Sequence, residues 1–184
     1  MKSTELLVQE HESIKQSLLI LNKMCDKLQS GAQVDSSHLE QIVYFIKNFA
    51  DKFHHGKEEN ILFDTMVKAG FPRDTGPIGV MFSEHDMGRD LVKGLSEAVE
   101  RYKAGENNAV SSIVSNARKY SNLLNQHIDK ENNILYPMAD ARLTTEQQTH
   151  ILKEFEKFEA QEIGPGEHEK LHKIVNDLSK VYLI

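Results

Sequence analysis

The chain has 184 residues, of which 39% are hydrophobic and 27% charged, and its formal net charge is −6. This length is typical of one domain with a single substantial core, and no apolar run approaches the roughly 20 residues of a membrane helix. The acidic balance, without any Lys/Arg cluster, argues against nucleic acid or anionic lipid as a partner.

Apolar residues at helical spacing run along nearly the whole chain, and strictly alternating runs are missing, so the sequence predicts an almost entirely helical protein. The first helix is predicted over about residues 4–30, ending before Gly31, a residue type favoured just after helices. The second is predicted to begin after a cap at residues 35–37 and to run to about residue 69.

A loop containing glycine and proline is predicted over residues 70–79. The third helix is predicted to follow over about residues 80–104. The fourth is predicted over about residues 108–136, where Pro137 should close it because proline lacks the amide hydrogen that a helix interior needs.

Two further helices are predicted beyond these four. One begins near Thr144, which fits a capping box with Gln147, and the Gly-Pro-Gly sequence at residues 164–166 separates it from the last. Four long helices with short links predict an all-α, up-down-up-down four-helix bundle over residues 1–140. Residues 141–184 are predicted to form a C-terminal helical extension packed on that bundle.

The N-terminal residues lead directly into an amphipathic pattern without the apolar region of a secretory signal, which predicts a cytoplasmic protein. Cys25 is the single cysteine, so the sequence offers neither an intramolecular disulfide nor a thiolate metal cluster. It lies on the apolar seam of the first helix and is predicted to be a small, inert core residue. Histidine, glutamate and aspartate are therefore the side chains left to hold a metal.

Two ten-residue stretches are near copies of each other: residues 54–63 and 127–136 both read HxxKExNIL followed by an aromatic residue. A further histidine, preceded by glutamate, stands upstream of each stretch at nearly the same distance, namely His11 and His85. A histidine and a glutamate four residues apart lie on one helical face, so each repeat offers an imidazole beside a carboxylate. The duplicated set predicts a dinuclear metal site.

These histidines fall on the core-facing seams of their helices; His11, for example, shares its seam with Leu7 and Ile14. Burying such imidazoles and carboxylates without partners would cost several kcal/mol for each ionised carboxylate. A pair of metal ions removes that cost, which is the reason to favour metal binding over a purely structural role.

The order of a histidine, an HxxxE pair, a second histidine and a second HxxxE pair resembles the hemerythrin-like (HHE cation-binding) family over residues 1 to about 140. The remaining tail resembles an extension found in bacterial members. The resemblance implies two non-haem iron ions joined by an oxo or hydroxo bridge, and nitrogen and oxygen ligands of this kind also suit Mn or Zn. One iron would take His11 and His54, the other His85 and His127, with Glu58 and Glu131 bridging the pair.

His55 and Glu59 have the same spacing as His54 and Glu58, so the register of the first repeat must be chosen. Aligning the Ile-Leu-aromatic ends of the two repeats pairs His54 with His127. This predicts His54 as the ligand and places His55 about 100° away around an α-helix.

Oxygen-carrying hemerythrins have a second histidine one turn after the third-helix histidine, where this sequence has Arg89. A guanidinium cannot ligate, so the six-ligand pattern implies open positions on both metal ions, which favours redox chemistry over reversible carriage. Arg89 is expected to hydrogen-bond to a bridging carboxylate or a bound anion, or to turn to solvent. The six-ligand pattern is also similar to that of di-iron proteins linked to iron–sulfur cluster repair, whose N-terminal cysteine-containing segment is absent from this sequence.

His168 and His172 belong to an HExxH sequence, the pattern of zinc proteases, but no histidine or glutamate follows to serve as a third ligand. They are predicted to lie on an amphipathic helix, with the alternative that one reaches the mouth of the bundle as an extra ligand or proton donor.

These patterns predict a non-haem di-iron protein that binds O₂, NO or peroxide, with peroxidase-like or NO-reducing chemistry supplied by an unidentified electron donor. An O₂ or iron sensor, or an iron-homeostasis module, is one alternative. Reversible O₂ storage is another, and the sequence does not decide whether the protein is an enzyme.

Overall fold

The computed structural model describes residues 2–162 and 164–184, and six helices occupy most of this length. They are α1 (Ser3–Gln29), α2 (36–68), α3 (Gly76–Lys103), α4 (109–142), α5 (Thr145–Glu162) and α6 (Glu167–Tyr182). The described residues contain no strand. The predicted all-α bundle with two additional C-terminal helices is confirmed.

Helices α2 and α4 are not α-helical throughout. In α2, π-helical turns occupy Ile46–His55 and Glu58–Leu62, and in α4 one occupies Glu131–Leu135. The segments Glu58–Leu62 and Glu131–Leu135 lie within the two sequence repeats, and Ile46–His55 ends inside the first repeat. π-helical turns recur at functional sites because they reorient side chains that an α-helix would separate.

Two helix boundaries differ from the prediction. Helix α3 begins at Gly76, before the predicted start, because Pro77 in its first turn needs no hydrogen-bond acceptor and has a favourable φ. Helix α4 continues past Pro137 to Arg142 instead of ending there. Pro137 falls in the first turn after the π-helical segment, where a helix tolerates a residue without an amide hydrogen.

Predicted capping residues fix the beginnings of two helices. Asp35 Oδ1 accepts a hydrogen bond from the Ser37 amide, 2.8 Å away, at the start of α2. Before α5, the Thr144 amide donates to Gln147 Oε1 and the Gln147 amide donates to Thr144 Oγ1, so the predicted capping box is formed.

The apolar core consists of two clusters of buried side chains. The larger includes Ile14, Leu18 and Leu21 of α1, and α6 adds Leu171 and Val175 to it. In the second cluster, α5 adds Ile151 and Phe155 to residues of the other helices, which include Leu7 and Phe63. Since Leu7 and Ile14 of α1 flank His11, the polar centre lies between the two clusters.

Helices α5 and α6 both pack against α1, and α5 also packs closely on α2 at Gly56. A Cβ atom at Gly56 would lie 2.7 Å from Phe158 Cζ, so the absence of a side chain permits this approach. The division into a bundle over 1–140 and an extension over 141–184 stays a prediction. None of the described helices is long and apolar enough to cross a membrane.

We expect Cys25 to be unreactive in the native protein. Its side chain is fully buried, and burial raises the pKa of the thiol to about 11, against the opposing effect of Arg118. Because the thiolate is the reactive form, a disulfide reagent should label no cysteine in the folded protein and one in denaturant. Labelling of the folded protein at a comparable rate would contradict the burial of Cys25.

Candidate metal centre

Four buried histidines, one each from α1, α2, α3 and α4, meet in two pairs at the middle of the bundle. His11 Nε2 lies 3.0 Å from His54 Nε2, and His85 Nε2 lies 3.0 Å from His127 Nε2. Each side chain is at most 1% exposed. The structure thus brings together all four histidines that the sequence selected, in the pairs that the resemblance implied.

Two buried carboxylates lie between these pairs. Glu131 Oε2 is 3.2 Å from His11 Nε2, while Glu131 Oε1 is 3.0 Å from His127 Nε2. Glu58 Oε2 is 3.8 Å from His54 Nε2 and 3.5 Å from His85 Nε2. Each carboxylate therefore contacts one imidazole of each pair.

The carboxylate oxygens provide a test of whether the site suits a cation. Glu58 Oε2 and both oxygens of Glu131 are buried and lack a hydrogen-bond partner. Burial and the charge of Glu131 raise the pKa of Glu58; burial would also raise that of Glu131, but His127 and His11 hold it below its usual range. Buried, unpartnered carboxylate oxygens beside four imidazoles are a donor set that fits divalent or trivalent metal ions.

Two glutamates outside this set orient one histidine of each pair. His54 Nδ1 lies 2.8 Å from Glu10 Oε2, and His127 Nδ1 lies 2.9 Å from Glu84 Oε2. A proton on Nδ1 makes these hydrogen bonds and leaves the Nε2 lone pair facing the centre, as in metal-binding histidines generally. Glu10 and Glu84 directly precede His11 and His85 in the sequence, and this repeated Glu-His pair was the signal that could have assigned them a role.

The other histidine of each pair is oriented by a side chain that belongs to one of the two repeats. His85 Nδ1 lies 2.6 Å from Glu59 Oε1, and His11 Nδ1 lies 2.8 Å from Asn132 Oδ1. Glu59 and Asn132 occupy equivalent positions of the two repeats. All four imidazoles consequently present Nε2 to the centre, so the whole set is arranged for ligation.

The two repeat lysines differ in burial. Lys57 is fully buried: its Nζ donates to Glu10 and to Glu159 Oε1 of α5, 3.1 Å away, and lies 3.8 Å from the centre of the Phe53 ring. Lys130 donates to Glu84 but remains 36% exposed. Helix α5 therefore covers the side of the centre at Glu10 and His54. The side at Glu84 and His127 is nearer to solvent.

The aromatic residues that end the repeats also face the centre. Phe63 stacks near His85 with ring centroids 6.0 Å apart, and Tyr136 stacks on His11 at 5.7 Å. The Tyr136 hydroxyl donates to Glu58 Oε1, 2.6 Å away, and lies 3.5 Å from His11 Nε2. The Tyr136 hydroxyl is a proton donor near His11. Phe63, its counterpart near His85, has no hydroxyl.

The structure places His55 differently from the prediction. Its side chain is 5% exposed and its ring stacks on that of His85, with centroids 3.8 Å apart. The expected 100° separation assumed an α-helix, whereas residues 46–55 form a π-helix in which His54 and His55 can both face inward.

Arg89 contacts neither bridging candidate and does not simply turn to solvent. Its Nε donates to Asp51 Oδ1 at 2.9 Å, and its Nη2 donates to Glu59 Oε1 at 2.8 Å. Through Glu59 it acts on the orientation of His85. Both expectations for Arg89 are therefore replaced by a role in supporting this side of the centre.

His168 and His172 lie outside the centre. Their Nε2 atoms are 3.3 Å apart on α6, and their rings pack near Phe49, with His168 also near Phe53. His168 is exposed and His172 half-buried. Neither belongs to the described side-chain groups that could hold a metal, so the amphipathic-helix reading agrees with their placement.

These features define a class of protein: a helical bundle whose buried histidines and carboxylates can hold metal ions. The chain belongs to the Hemerythrin HHE cation binding domain family, whose profile matches residues 2–139. The expected family is thus confirmed, and with it a metal-binding protein of hemerythrin type.

Two further proteins are similar in sequence to this chain. An uncharacterised protein of Mycobacterium tuberculosis is 23% identical over 176 residues, which cover 96% of this chain and 68% of that protein. The iron-sulfur cluster repair protein YtfE of Salmonella newport is 38% identical over 97 residues, which cover 47% of this chain and 40% of that protein. No solved structure matches the chain significantly.

Proposed function

We propose that the protein is a non-haem di-iron protein that binds O₂, NO or peroxide and carries out redox chemistry with an external electron donor in the cytoplasm. The proposed protein ligands are His11, His54, Glu58, His85, His127 and Glu131. The observation that supports this most directly is the placement of two unpartnered buried carboxylates between two imidazole pairs. Bound iron would supply the redox activity and the position for a small exogenous ligand.

The protein's own side chains prepare the site in three ways. Glu10, Glu84 and Glu59 accept hydrogen bonds from imidazole Nδ1 atoms and thereby keep the Nε2 atoms available. The two apolar clusters exclude bulk water at both ends. Burial raises the pKa of Tyr136 well above its usual value, so its hydroxyl keeps the proton that it donates towards Glu58.

The first test is metal content and optical spectrum. Protein from iron-replete cells should hold two iron ions per chain and show ferric absorption, because the donor set forms two groups. A preparation grown with added zinc serves as the control for metal choice. Finding about one zinc ion per chain and no iron after growth in iron would overturn the di-iron proposal.

The second test distinguishes redox chemistry from storage. The reduced protein is mixed with O₂ or peroxide in a stopped-flow spectrometer, with and without an electron donor. We expect oxidation without a long-lived oxygenated form, and turnover when donor is supplied. An absorption band that lasts for minutes and disappears when O₂ is removed would favour storage, while a change of structure without turnover would favour sensing.

Repair of iron–sulfur clusters is a second candidate function, favoured by the match to YtfE, which carries that description. The match covers 40% of YtfE, so the comparison concerns part of that protein. The test is reactivation of a nitric-oxide-damaged [4Fe–4S] enzyme by the iron-loaded protein, with the metal-free protein as control. Equal reactivation by both preparations would reject this candidate.

A further inference from the structure

The centre has an approximate two-fold symmetry that follows from the sequence duplication. His54 corresponds to His127 and Glu58 to Glu131, and each pair occupies equivalent positions in the structure. His55 breaks this symmetry, because its counterpart is Ile128, a buried aliphatic residue. One half of the centre therefore contains an additional imidazole that the other half lacks.

His55 lies on the side of the centre formed by His85 and His127. The His55 and His85 rings are inclined by only 15°, and the His55 and His127 centroids are 5.6 Å apart. One ligand atom from each of these three histidines and one from Glu58 all lie within 4.8 Å of one another. Opposite ligands around an ion with bonds of about 2.1 Å stand about 4.2 Å apart, so these donors span little more than one coordination sphere.

The hydrogen bonding of His55 leaves the ring free to ligate. Its Nδ1 has no hydrogen-bond partner; the nearest carboxylate oxygen, Asp51 Oδ1, is 3.5 Å away and already accepts from Arg89. A buried imidazole nitrogen without a hydrogen bond is unfavourable unless another partner, such as a metal ion, satisfies the ring.

Arg89 contacts carboxylates that face both His55 and His85. It donates to Asp51, which faces His55, and to Glu59, which accepts from His85. The same guanidinium therefore positions the carboxylates behind both stacked rings. Arg89 thus supports two side chains on the His85 side of the centre.

We propose that His55 is a third imidazole ligand of the metal ion held by His85 and His127, so that the two metal positions are unequal. This inference rests on the proposed di-iron function. The ion held by His11 and His54 has fewer protein ligands and is the position where a small exogenous ligand binds.

The test replaces His55 by the residue that the chain itself has at the equivalent position, His55→Ile, with Ile128→Val as the matched control. Ferric protein is titrated with azide and examined by Mössbauer spectroscopy. We expect wild type and the control to bind one azide per chain and to show two quadrupole doublets of equal area. His55→Ile should bind two azides with nearly coincident doublets, or retain one iron ion in place of two.

Two outcomes would overturn the inference without affecting the di-iron proposal. One is a wild-type protein with two iron ions that already binds two azides. The other is a His55→Ile protein whose doublets and azide stoichiometry are those of wild type. If His55→Ile does not fold, as judged by circular dichroism, His55→Gln serves instead, because its amide keeps a polar side chain of similar reach but is a poor ligand. Absence of an iron pair from wild type would instead reject the proposed function.

Discussion

Replacing Glu131 with alanine should abolish stable loading of both metal ions. Each Glu131 oxygen faces an imidazole of a different pair, at 3.2 Å from His11 and 3.0 Å from His127, so the substitution removes a donor from both positions. Partners outside a ligand set already change metal affinity by about 10–100-fold, so loss of a shared ligand should weaken binding by more than about 100-fold. Metal analysis after gel filtration would measure the loss.

The same variant should lose the stabilisation that metal confers. An ion present at about 1,000 times its Kd stabilises a protein by about 4.1 kcal/mol, and at 100 times by about 2.7 kcal/mol. The difference in Tm between metal-loaded and metal-free protein should thus be large for wild type and near zero for Glu131→Ala. Asp129→Ala is the matched control, since Asp129 is exposed on the same helix. Retention of two ions by Glu131→Ala would show that Glu131 is not a ligand.

Lys57→Met should destabilise the protein far more than the equivalent substitution in the second repeat, Lys130→Met. Lys57 is fully buried between Glu10 and Glu159, whereas Lys130 is 36% exposed. Breaking a buried ion pair by removing one partner costs about 3–5 kcal/mol, while an exposed pair contributes about 0–1 kcal/mol. Burial raises the pKa of Glu10 to about 7 even though Lys57 opposes the shift, so an unpaired charge is costly there.

Urea denaturation of the two variants would measure this difference in the free energy of unfolding. The midpoint of Lys57→Met should fall well below that of wild type, with an unchanged m-value, while Lys130→Met should stay close to wild type. Methionine keeps the apolar stem against Phe53, so the comparison reports the charge more than the packing. Equal losses of unfolding free energy in both variants would show that the burial of Lys57 beneath α5 adds no stability.

Helical periodicity and the duplicated HxxKExNIL stretches were sufficient to predict the bundle and six of the residues that meet at its centre. Signals of this kind are local: a spacing of four residues defines one helical face, and a capping box joins two residues that are three positions apart. Thr144 and Gln147 illustrate this, because the bonds that their sequence predicts are those that form. The polar residues on apolar seams supplied the remaining argument, since His11 and His85 lie among apolar residues at helical spacing.

Only the tertiary structure could decide which carboxylate supports which imidazole. Glu10 lies on α1 but supports His54 of α2, and Glu59 of α2 supports His85 of α3. Such partners come from different helices, and their pairing depends on how those helices pack. The burial of Lys57 has the same origin, because it depends on Glu159 and Phe155 of α5.

The sequence by itself determined the helical class, the order of the helices and the six candidate ligands, because each follows from spacing along one helix. The tertiary structure decided the register within α2 and the path of α4 through Pro137, since both depend on π-helical turns that spacing does not reveal. A shift of one hydrogen bond from i→i+4 to i→i+5 changes which neighbouring side chains face inward. That change brought His55 to the centre beside His54, where an α-helical reading would have placed it elsewhere.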